Sequence, residues 1–130
     1  MQRKEDIPEF EKLEQQLHSF LTEISELSKK KPNDPLNKFK LKFINATVEG
    51  LNSFLAEGRP FQDFETFDPD DLPTNSDVVV ILAQYAASVY LFRVENTEYD
   101  NDEEQWFWSV RGKVTDLYAD NPAKFKYHPK

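Results

Sequence analysis

DVVVILAQYAASVYLFRV, residues 77–94, decides how the rest of the chain is read. Its opening run Val78-Val79-Val80-Ile81-Leu82 favours a strand on propensity alone. The apolar character continues through Ala83, Tyr85, Ala86, Ala87, Val89, Tyr90, Leu91 and Phe92, which is too long for a strand and fits a helix. Gln84, Ser88 and Arg93 interrupt it and it is slightly short. It is therefore expected to be a core helix, and no stretch is expected to cross a membrane. A helix apolar nearly all round is expected to be buried on most sides. Asn75 or Ser76 can cap it.

Upstream, Asp6, Pro8 and Glu9 make a helix start, with Glu9 three residues after Asp6 as in a capping box. Phe10, Leu13, Leu17, Phe20, Ile24 and Leu27 follow at alternating three- and four-residue spacing. Lys29–Lys31 then meet the negative end of the helix dipole before Pro32. Asn33-Asp34-Pro35 restarts the chain. Lys38–Phe43 alternates like a strand, but the wider run Leu36, Phe39, Phe43, Ile44, Thr47, Val48, Leu51, Phe54 and Leu55 keeps the helical period. The short link makes helices one and two an antiparallel hairpin. Between them and the central helix lies a long segment, Arg59–Asn75, with three prolines and with Phe61, Phe64 and Phe67 spaced by three, as in a 3₁₀ piece.

Downstream, Asn101 or Asp102 can cap a fourth helix, with Glu103 and Glu104 in its first turn. Trp106, Phe107, Val110, Val114, Leu117 and Tyr118 follow at helical spacing, and Asn121-Pro122 ends it. The expectation is an all-α, four-helix bundle-like single domain over residues 1–130. Its helices fall at about 7–30, 35–57, 76–95 and 102–119, with a flexible basic tail at 123–130.

The chain of 130 residues fits one domain and needs no cross-link to fold. It has no cysteine, which removes disulfides, thiolate metal sites and Cys nucleophiles and suits a reducing compartment. The N-terminus is charged rather than a secretion signal, so a cytoplasmic location is expected. Eleven Phe, five Tyr and two Trp supply a substantial core.

Chemistry is sparse. His18 and His128 are the only histidines. His18 lies beside the apolar seam and is expected to face solvent; Glu14 and His18 are four apart, a weak metal pair. Counted as calcium loops, the clusters starting at Asp68 and Asp100 lack the required glycine and terminal glutamate. The three glycines are scattered, with no phosphate-binding loop. No enzyme activity, metal or cofactor is expected.

Charge is segregated. Between Pro60 and Glu104 there are twelve acids against Arg93 alone, while Lys29–Lys42 holds six lysines against Asp34. In a simple up-down bundle, the Lys31–Pro35 turn and the Asn96–Glu104 connector share one end and neutralise each other, leaving Asp63–Asp77 exposed at the other. The reading is a protein-binding module, of adaptor, inhibitor, antitoxin or immunity type, that uses acidic loop surfaces. Its contact residues would be Asp63, Glu65, Asp68, Asp70, Asp71, Glu98, Asp100 and Asp102, and its partner another, basic protein. The alternatives are a self-assembling subunit, a homodimer through helix one, or an acidic mimic of nucleic-acid charge. With a net charge of −8, direct nucleic-acid binding is not expected.

Overall fold

A computed structural model describes residues 1–129. It contains helices α1 (Ile7–Lys30), α2 (Lys38–Leu55) and α3 (Asn75–Glu95), then strands β1 (Thr97–Asp100), β2 (Gln105–Val110) and β3 (Lys113–Ala119). The strands form an antiparallel sheet in the order β1-β2-β3. The fold is α+β. The expected all-α bundle, and with it the helix at 102–119, is overturned.

The reason lies in the turns. Asp100 does not lead into a helix. Its Oδ1 accepts from the backbone N–H of Asp102 (2.8 Å) and Glu103 (3.1 Å), and Glu104 takes φ +52°, which turns β1 back into β2. Arg111 (φ +53°) and Gly112 (φ +78°) make the two-residue link to β3, a geometry that matches the twist of paired strands. The residues spaced as for a helix then alternate across the sheet. Trp106, Trp108 and Val110 pack toward the helices, and Phe107, also buried, lies on the other face of the sheet under Tyr118 (ring centroids 5.3 Å). Trp108 is fully buried, edge-on to Phe10 at 5.7 Å.

Helix α1 is central and packs on both α2 and α3. Gly50 lets α2 approach closely, since a Cβ there would meet Leu13 Cδ1 at 2.9 Å. Asp6 bonds Arg3 instead of capping α1. Helix α2 starts at Lys38 rather than residue 35, because Asn37 Oδ1 caps it through Phe39 and Lys40 N–H and Pro35 bridges to Thr74. Helix α3 is capped one residue earlier than expected, by a reciprocal Thr74–Asp77 capping box.

The helix order departs from up-down. The first turn of α3 is tied to the end of α1: Asn75 Nδ2 donates to the Lys31 carbonyl (2.8 Å) and Ser76 N–H to that of Pro32 (3.1 Å). At the other end of α1, Phe10 meets Phe54 of α2 (5.5 Å) and Phe92 of α3 (4.9 Å). Helices α2 and α3 therefore run parallel to each other and antiparallel to α1, and residues 56–74 return along them. Two asparagines of α2 hold that return. Asn45 exchanges bonds with both backbone groups of Phe67, and Asn52 donates to the Glu65 carbonyl (2.9 Å). Phe64 and Phe67 pack inward beside Tyr85.

After β3 the chain turns through Pro122–Phe125 and lays residues 124–129 over α1 and α3. Phe125 and Tyr127 are half buried there. The last residue of the tail expected to be flexible, Lys130, lies outside the described residues.

Candidate protein-docking face

Helix α3 meets the expectation of a helix but not of burial on most sides. By length and composition it is apolar enough to span a membrane, a property the sequence reading denied to every stretch. It buries one seam, Val78, Leu82, Tyr85, Ala86, Val89 and Arg93, against the rest of the domain. A second stripe, Val80, Gln84, Ala87, Leu91 and Val94, recurs at four- and three-residue spacing and is exposed. Val80 is 59% exposed, Leu91 55% and Val94 41%, and none of the described residues covers them. The stripe runs about 21 Å along the helix. Asp77 and Glu95 close its two ends. Between them the only charge on α3 is Arg93, which is buried.

The rod is held from behind by Arg93. Its guanidinium donates to both carboxylate oxygens of Glu14 on α1, with Nε to Oε2 at 2.8 Å, and both residues are fully buried. The Phe125 and Trp108 rings lie 3.9 Å and 4.7 Å from its central carbon, so α1, α3, β2 and the C-terminal segment all meet at one cation. Burial pushes the Glu14 carboxyl above the ordinary glutamate value, while the hydrogen bonds and charge of Arg93 pull it back.

The eight carboxylates expected to form the contact surface fall into separate places. Asp63 is exposed on the returning segment, where Glu65 reaches Arg59 at 3.4 Å. Asp68 caps the Pro69–Asp71 turn through Asp70 N–H (2.9 Å), leaving Asp70 and Asp71 exposed just before α3. Glu98, Asp100 and Asp102 lie beyond the other end of α3, on β1 and its turn. The expected neighbours are reversed. The Lys31–Pro35 turn sits by the start of α3 and its preceding acids, whereas Asn96, whose Oδ1 accepts from the Met1 ammonium (2.6 Å), follows the far end of α3.

Sequence reasoning missed the bare stripe of α3. Its signal was present: α3 is apolar on two faces, each at heptad spacing. The α1 seam that could have paired with a second copy is turned inward, with Phe10, Leu13, Leu17, Leu21 and Ile24 buried in the chain itself. Other large apolar side chains are exposed as well: Phe39 and Phe43, 5.0 Å apart among Lys38, Lys40 and Lys42, then Leu72 just before α3, and Tyr99, Val114, Leu117 and Tyr118 on the sheet. Among the described residues, no three His, Asp or Glu side chains gather as metal ligands. Compared with family models, curated proteins and solved structures, the chain matches none.

Proposed function

We propose that this chain is a non-enzymatic protein-binding module whose α3 receives an amphipathic helix from a basic partner. The observation that carries the reading is the exposed stripe Val80–Gln84–Ala87–Leu91–Val94, an apolar face on a rigid helix in an otherwise highly charged protein. Charge selects the occupant. Asp77 and Glu95 bracket the stripe, with Asp70 and Asp71 before it and Glu98 and Asp100 after it. A second copy, parallel or antiparallel, sets carboxylates against carboxylates at both ends, whereas a helix flanked by lysine or arginine is drawn in. A mimic of nucleic-acid charge fits less well, because these acids form separate groups rather than one stripe.

A photo-crosslinking amino acid at Ala87 in native extract tests this. The expected product is a crosslink to a basic helical segment, lost with Leu91→Glu and weakened by salt. Loss of the crosslink must come with stability unchanged to within about 0.5 kcal/mol, since Leu91 is exposed. A crosslink that survives Leu91→Glu removes the proposal. Light scattering of the isolated chain should give a monomer; a dimer abolished by Leu91→Glu would replace the basic partner with a second copy.

A further inference from the structure

On the other side of α3, the C-terminal segment roofs a cleft of about 530 Å³ whose floor is α1. The floor is a polar stripe at helical spacing, His18, Thr22 and Ser25, with Lys29 at its end. The roof brings Lys124, Lys126 and Tyr127, and Val79 of α3 closes one wall. Two floor atoms, His18 Nε2 and Ser25 Oγ, are shut off from solvent and have no hydrogen-bond partner among the described residues. Buried polar atoms are ordinarily paired; both residues are only half-buried, so a change of side-chain rotamer turns these atoms into the cleft, where a bound group satisfies them. Three lysines line the space against Glu26 alone, so its walls are net positive although the whole chain carries −8.

We infer that this cleft binds a small organic oxyanion, a carboxylate or phosphate on a planar apolar body, with the oxyanion between Ser25 and the lysines and the apolar body against Tyr127 and Val79. The volume is within the range of small-molecule sites. Lys29 and Lys124 already lie near Glu26 (3.1 Å) and Asp120 (3.4 Å), while Lys126 is placed over the Tyr90 ring at 5.9 Å and makes no ion pair among the described residues. Lys126 and Ser25 are therefore the principal anion contacts, and His18 supplies a hydrogen bond. The site lies apart from the bare stripe of α3, so it stands or falls independently of the docking proposal.

Sodium benzoate is a suitable probe, titrated into the full chain and followed by NMR at the His18 imidazole and the Tyr127 ring. The expected result is a saturable shift with a midpoint of about 1 mM, as befits a ligand this small. Bound benzoate should also raise the titration midpoint of His18, because a nearby anion favours the imidazolium. Ser25→Ala and Lys126→Gln should each weaken binding about fivefold while the rest of the spectrum stays folded. The inference is overturned if benzoate moves neither residue saturably, or if both variants bind it as tightly as the parent.

Discussion

Glu14 and Arg93 form a two-pronged ion pair, fully buried and 79 residues apart in the chain. Removing one partner leaves the other charge buried without its hydrogen-bonded counterion, Arg93 then having only Glu11, at 4.0 Å. Glu14→Gln is expected to cost about 3–5 kcal/mol in urea unfolding, whereas replacing both with Leu and Met should cost distinctly less. Equal losses from the single and double changes would mean that the pair acts only by filling space.

Tyr85 OH donates to Asn52 Oδ1 at 2.6 Å, and Asn52 Nδ2 donates to the Glu65 carbonyl, so one amide serves both the core and the returning segment. Asn52→Ala orphans both groups. We expect a loss of about 2 kcal/mol or more in thermal unfolding, against about 1 kcal/mol for Tyr85→Phe. A larger loss from Tyr85→Phe would contradict this order.

Burial lowers the His18 pKa from its ordinary 6.5. Below that value the unfolded chain binds more protons than the folded one. The contribution of neutral His18 is thus complete above 6.5 and declines as pH falls toward the folded value. Chemical denaturation between about pH 7.5 and 5.5 should show this decline in the parent and a flatter profile in His18→Gln. Parallel profiles would assign the decline to other groups.

Gly112 sits at φ +78°, a conformation that costs a side chain energy. Gly112→Val should destabilise the β2–β3 hairpin by more than about 1 kcal/mol, and amide exchange in β3 should accelerate before exchange in α1 does. Unchanged β3 protection would show that the hairpin is held from elsewhere.

The three helices were legible because each carries an apolar pattern of helical period, on one face of α1 and α2 and on two of α3, long enough to outvote local propensity. The hairpin was not. Trp106, Phe107, Val110, Val114, Leu117 and Tyr118 satisfy a helical spacing, and in so short a window that spacing coexists with the alternation of Trp106, Trp108 and Val110. The available discriminator was Arg111-Gly112, a two-residue turn flanked by Val110 and Lys113, with aromatic and β-branched residues beyond them. The buried strut also left a trace. Glu14 lies in register with Phe10, Leu17, Leu21 and Ile24, so a carboxylate in that seam required a cation, and Arg93 is the one cation in the central apolar run. The acidic groups were legible as charge but not as places, because their positions depend on the long return of residues 56–74.

That return has a kinetic consequence. The α1–α2 hairpin is local, but the links that complete the domain join Glu14 to Arg93 and Met1 to Asn96, 79 and 95 residues apart. Loop closure of that order must precede its reward, so refolding should be slower than for an up-down bundle of equal length. The strut then belongs to the late side of the barrier, where Glu14→Gln chiefly speeds unfolding and barely slows folding.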